Sequence, residues 1–134
     1  MILVAELTVG LKGRAEKIVD HTNTAKTMGS GSLDVFATPA LVALMEEAAV
    51  KALELEEGQT SVGVSLDIKH TAATPVGMKV WAVAELIEVD RRRLVFQVEA
   101  FDVKEQIGSG RHERFLIDVD KFMQKTLSKN QEQE

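Results

Sequence analysis

The 134-residue sequence has no cysteine. Disulfides, thiolate nucleophiles and cysteine-ligated metals are therefore excluded. Excess basic charge is also missing: 16 Lys and Arg face 21 Asp and Glu, for a net charge of -5. A general nucleic-acid or membrane-surface binder needs a basic patch, so neither partner is expected. A small basic pocket for a phosphorylated group remains compatible with this balance. No apolar run reaches membrane-spanning length. The N-terminal MILVAEL is apolar but short, without a charged start or a cleavage site, and does not read as a signal peptide. The three histidines, His21, His70 and His112, lack local metal-ligand spacing, so no metal is expected. These absences fit a soluble, cytoplasmic protein.

The sequence is 45% hydrophobic, enough for a real core at this length. No repeat or linker divides it, so residues 1–127 read as one domain, with 128–134 as a polar, disordered tail. Lys12 to His21 alternates loosely, as an edge strand does. Thr22 to Leu33 is small and polar, and reads as a mobile loop. FATPALVALMEEAAVKALELEEG, from Phe36 to Gly58, is the one strong helix signal. Thr38 is a good N-cap, Pro39 suits the first turn and Gly58 is a plausible stop. Leu41, Leu44, Met45, Ala48, Ala52 and Leu55 form its apolar stripe. Val42, Ala49 and Leu53 widen it, so the helix is expected to be wrapped by a sheet.

Four strands are expected after Gly58: Ser61 to Thr71, Met78 to Asp90, Leu94 to Val103 and Ile107 to Val119. Their short polar links indicate antiparallel hairpins. The fold class is thus α+β, a long central helix wrapped by a curved antiparallel sheet. Such a sheet leaves edges to cover, and pairing across a two-fold is the usual remedy.

Three polar residues sit where apolar ones, or special geometry, are expected. Thr38 is at the helix start, and Glu46 lies two turns later on an apolar sector. His70 ends the strand VGVSLDIKH, whose Val62, Val64, Leu66 and Ile68 read as one inward face. Each has an ordinary explanation: a cap, an ion-paired carboxylate, a hydrogen-bonded core imidazole. Together they supply the parts of an acyl-transfer site. A helix N-terminus polarises a carbonyl, a carboxylate in an apolar setting becomes a candidate base or nucleophile, and an imidazole moves a proton.

FATPALVALMEEA, IKHTAATPVG and IGSGRHER resemble the fluoroacetyl-CoA thioesterase branch of the hot-dog fold, over roughly residues 35–122. The resemblance implies a side-by-side homodimer or a dimer of dimers. It implies hydrolysis of a short-chain acyl-CoA to the carboxylic acid and free CoA, with CoA part of the substrate and no cofactor. Thr38, Glu46 and His70 match the family's catalytic Thr, Glu and His. Gly63 matches a glycine near the thioester. Glu46 is then nucleophile or general base, and His70 its partner and the proton donor to the thiolate. Thr38 then hydrogen-bonds the carboxylate or carries the acyl group. The family's aromatic-rich lid is absent: Lys26 to Phe36 is Gly/Ser-rich, with Phe36 its only aromatic. Fluoroacetate chemistry is therefore not carried over.

In GSGRHERF the glycines read as a bulge or bend in the last strand, because no Walker lysine follows. His112 and Arg114 share one strand face and Arg111 the other, and all three are expected at the surface. Arg111 or Arg114 is a candidate contact for CoA phosphates, and Arg114 is taken as substrate-binding. The Arg91-Arg92-Arg93 run reads as a solvated turn. The competing functional reading is a non-catalytic acyl-CoA-binding module on the same cleft, and a hydratase is a third. Glu46 together with His70 favours catalysis, because an apolar pocket needs neither to hold an acyl chain.

Overall fold

The computed structural model describes residues 7–132. Most of the MILVAEL segment therefore lies outside the described residues. Strand β1 (Lys12–Ile18) is followed by a short helix α1 (Ala25–Met28) and the long helix α2 (Thr38–Lys51). Then come β2 (Gln59–His70), β3 (Lys79–Asp90), β4 (Arg93–Asp102), β5 (Gln106–Asp118) and helix α3 (Val119–Leu127). The five strands form one antiparallel sheet in the order β1-β3-β4-β5-β2, curled round α2. The α+β class and the wrapped helix agree with the sequence reading. A 3-10 turn, Ser128–Glu132, covers most of the stretch set apart as a tail.

The core is the inner face of the curl. Leu41, Leu44, Met45, Ala48 and Ala49 of α2 are buried against Ala82, Ala84, Leu86, Phe96, Val98 and Ala100 of β3 and β4. The alanines let the helix lie close to the sheet, and close packing of such apolar groups drives the fold. α2 stops at Lys51 rather than near Gly58. The Ala52 N–H closes on the carbonyls of Ala48, Ala49 and Val50. Glu54, Glu56 and Glu57 follow, and carboxylates oppose the negative end of a helix dipole.

The stretch expected as a mobile loop is built instead. Thr24 caps α1 through its side chain, and the chain doubles back so that Ala25 N–H bonds the Val35 carbonyl. Phe36, 1% exposed, anchors this segment beneath the start of α2. Arg91 and Arg92 make the two-residue turn between β3 and β4, with Arg91 at φ 60°. The run is not wholly solvated: Arg93 pairs with Glu88 and Glu113, and Arg92 donates to the Leu116 carbonyl.

One irregularity decides the site. The β2–β5 register shifts between Gly63 and Ser65. An extra residue in a strand reverses which side chains face inward. Val62, opposite Phe115, therefore falls on the outer face, and Val64 is 56% exposed. Ser61 and Gly63 turn toward the helix side, together with Leu66, Ile68 and His70. The single inward face expected for Val62, Val64, Leu66 and Ile68 is thus corrected by a bulge. The bulge expected at the β5 glycines is present beside Gly108: Ala100 pairs with Gly108 and Phe101 with Gln106, which leaves Ile107 as the extra residue. Gly108 lies under the helix, where an added Cβ would sit 3.0 Å from Leu41 Cδ2 and 3.4 Å from Met45 Cε. It permits close approach of strand and helix.

Candidate active site

Thr38 is the first residue of α2, and the N-cap is Ala37, which offers no side-chain cap. The expected capping role of Thr38 is thus not the one its hydroxyl takes. Thr38 Oγ1 lies 2.8 Å from His70 Nδ1 instead. Pro39 follows in the first turn, where a missing N–H costs nothing. The hydroxyl and the first-turn backbone N–H groups, which lack intrahelical partners, therefore stand together. The pair borders a cavity of about 290 Å³, shared with Ser30, Val35, Phe36 and Ala72. Burial pulls the His70 imidazole below its ordinary pKa, partly opposed by the Ala72 backbone. A neutral ring 2.8 Å from a hydroxyl is the arrangement of a base beside a nucleophile. Among the described residues, the buried His70 Nε2 has no hydrogen-bond partner.

Glu46 does not join this pair within one chain. It lies eight residues along α2, about 12 Å at the helix rise. Its carboxylate faces a second cluster, with Arg114 Nη1 3.6 Å from Glu46 Oε2. The apolar setting anticipated for Glu46 is corrected: its side chain is 41% exposed and beside a guanidinium. Gly63 lies directly beneath, where an added Cβ would be 2.6 Å from Glu46 Oε2. The bulge places this glycine on the helix side, and its lack of a side chain makes room for the carboxylate.

Arg114 and His112 were expected at the surface, yet they are 6% and 1% exposed. The strand phase explains it: Gly108, Gly110, His112, Arg114 and Leu116 alternate onto the inner face. Leu116 two residues beyond Arg114 was the signal for this. Arg111 is exposed on the other face, as its phase predicts. Arg114 Nε donates to Ser61 Oγ at 2.8 Å and Nη2 to the Ser61 carbonyl at 3.0 Å. Burial lowers the Arg114 pKa, and Glu46 opposes the shift. A guanidinium held this deep does not present itself to phosphates at the surface.

The residues thus fall into two half-sites. One holds a hydroxyl and an imidazole beside a cavity. The other holds a carboxylate, a glycine backbone and an arginine.

The fluoroacetyl-CoA-specific thioesterase family matches residues 19–120 of the chain. A fluoroacetyl-CoA thioesterase from Streptantibioticus cattleyicolor is 47% identical over 98 residues, covering 72% of this chain and 70% of that protein. A crystal structure of a fluoroacetyl-CoA-specific thioesterase point mutant, in complex with fluoroacetate and CoA, superposes with a TM-score of 0.81. It is 39% identical and covers 87% of this chain and 99% of its own. A hot-dog-like protein from Thermanaerovibrio acidaminovorans gives a TM-score of 0.83 at 27% identity, covering 92% of this chain and 93% of its own. The curled sheet around α2 is accordingly a hot-dog fold, and the chain belongs to the fluoroacetyl-CoA-specific thioesterase family.

Proposed function

We propose that this protein is an acyl-CoA thioesterase that hydrolyses a short-chain acyl-CoA to the carboxylic acid and free CoA. CoA enters as part of the substrate. The observation that carries this reading is the 2.8 Å contact between Thr38 Oγ1 and His70 Nδ1 at the rim of a cavity. The solved relative that holds fluoroacetate and CoA supports the substrate class.

In this reading Thr38 Oγ attacks the thioester carbon as His70 Nδ1 takes its proton. The C–S bond breaks, and Nδ1 returns that proton to the departing CoA sulfur. The first-turn amides of α2 and the Gly63 backbone supply donors for the oxyanion. Glu46 then takes a proton from water as its oxygen attacks the acyl-threonine ester; the ester C–O bond breaks, Glu46 gives that proton to the departing Thr38 oxygen, and the acid is released. Arg114 holds the Glu46 side of the site.

The two half-sites meet if the protein is a homodimer. β2 is an edge strand, paired on one side only, and exposes Val64. Antiparallel pairing of two β2 strands about a two-fold at Asp67 sets Leu66 opposite Ile68 of the partner subunit and, past the bulge at Val64, Gly63 of one protomer opposite His70 of its partner. Glu46 then faces the partner's Thr38 and His70. The same contact covers Val50 of α2, 49% exposed in the single chain. Among the described residues no helix is long and apolar enough to cross a membrane. With the lack of cysteine, this supports a cytoplasmic location.

The test is free-thiol release from acetyl-, branched, aromatic and long-chain acyl-CoAs. His70→Ala is expected to lower turnover by at least ~10²-fold, the usual loss for an acid–base group. Glu46→Gln is expected to give a burst of up to one thiol per site, followed by a turnover ~10²-fold below wild type. A slow rate with no burst would favour direct attack by Glu46-activated water. No release from any ester, with tight binding in the cleft, would leave a binding module.

A further inference from the structure

We infer that His112 is a positioning residue that locks the Arg114 guanidinium in place, and through it the Glu46 carboxylate. The inference rests on the thioesterase reading of this site.

Both ring nitrogens of His112 are committed. Nδ1 lies 2.8 Å from the Ser65 carbonyl oxygen. A carbonyl only accepts, so Nδ1 carries the proton. Nε2 is then a lone pair, and it accepts from Arg114 Nη1 at 3.1 Å. The two partners select one neutral tautomer. The Ser65 carbonyl is placed for this by the bulge between Gly63 and Ser65.

Arg114 uses Nε and Nη2 on Ser61. Nη1 is the only nitrogen left to face His112 and Glu46. The chain of contacts therefore runs from the Ser65 carbonyl through His112 and Arg114 to Glu46. His112 is what holds Nη1, the one nitrogen of the fork that Ser61 does not bind. Around the ring, α2 presents Glu46, β5 presents Arg114 and β2 presents only Ser65, Leu66 and Gly63. β4 presents Phe96, its ring centroid 6.3 Å away. Arg114 and Glu46 are thus the charged groups that face it. An imidazolium would oppose an Nε2–H to the arginine N–H, so the lock needs the neutral ring. Burial first, and more weakly the Arg114 charge, lower the His112 pKa, while the Ser65 carbonyl and Glu46 oppose the shift. Without the acceptor, a buried N–H is left unpaired, and the guanidinium, held by Ser61 along one edge alone, can pivot about that edge away from Glu46.

The test compares His112→Leu, which removes the acceptor, with His112→Gln, whose amide can donate to Ser65 and accept from Arg114. His112→Leu is expected to lower kcat about 10-fold with KM changed less than ~3-fold, and His112→Gln to stay within ~3-fold of wild type. In an Arg114→Met background, His112→Leu is expected to add less than a ~2-fold loss, because the path to Glu46 is already cut. Wild-type kcat for His112→Leu would overturn the inference, as would the same ~10-fold loss in the Arg114→Met background. A readout free of substitutions is the imidazole nitrogen spectrum of the wild-type protein. A neutral Nδ1–H ring for His112 is expected at pH 7.5, and an Nε2–H ring or an imidazolium there would overturn it. A wild-type protein without thioesterase activity would sink the enzyme reading, and the nitrogen spectrum would still judge the lock.

Discussion

Gly63 shows how a missing atom makes room for a charged one. A Cβ there would lie 2.6 Å from Glu46 Oε2 and 3.2 Å from His112 Cε1. The strand is exposed at this point, so the backbone tolerates alanine and the carboxylate has to yield. Gly63→Ala is expected to lower turnover at least ~10-fold while changing the melting temperature by only a few degrees, since its clash is with a half-exposed side chain. Thiol release and a thermal melt check both halves. The two buried histidines set a second expectation at this scale. Burial lowers the pKa of His70 and His112 in the folded state. As pH falls below the ordinary imidazole value of about 6.5, the unfolded chain binds protons that the folded chain refuses. Stability therefore falls with pH, and the loss is complete once pH passes below the folded values. Melting temperatures from pH 7.5 to 5 should decline, and the decline should be smaller in His112→Gln. Equal slopes for the two proteins would remove His112 as a contributor.

At the scale of elements, the bulge in β2 and the start of α2 do the organising. The alternation of Val62, Val64, Leu66 and Ile68 read as one face because no local residue marks the extra one. Val64 is an ordinary strand residue, and only the register against β5 reveals the shift. That shift puts Gly63 inside, and it also turns the Ser65 carbonyl toward His112. The inward phase of His112 and Arg114 was readable from Leu116, but two polar residues in a row on that phase read more naturally as solvated. α2 itself was legible, from its helix formers and Pro39 through the Leu41, Leu44, Met45 and Ala48 stripe. Its early end was hidden, because Leu53 and Leu55 continue the stripe after the backbone has left the helix. The pairing of Thr38 with His70 was legible in kind, while the replacement of a cap by an imidazole contact depends on where β2 ends. The separation of Glu46 from that pair follows from helix rise alone. It would have been found by measuring eight residues along an axis.

For the whole molecule, the proposed function needs the two half-sites of one chain to join across a two-fold. The exposed Val50 and Val64 and the unpaired edge of β2 lie on the side where Glu46 and Gly63 open. The most direct test is thiol release from an unfolded and co-refolded equimolar mixture of Glu46→Gln and His70→Ala. Each variant alone is expected to be at least ~10²-fold impaired. In a composite site, the mixed dimer has one site with an intact Glu46 and an intact partner His70. Half of the dimers are mixed, each with one intact site of two, so the mixture should recover about a quarter of wild-type activity. Activity no higher than that of the separate variants would contradict the shared site and place catalysis within a single protomer.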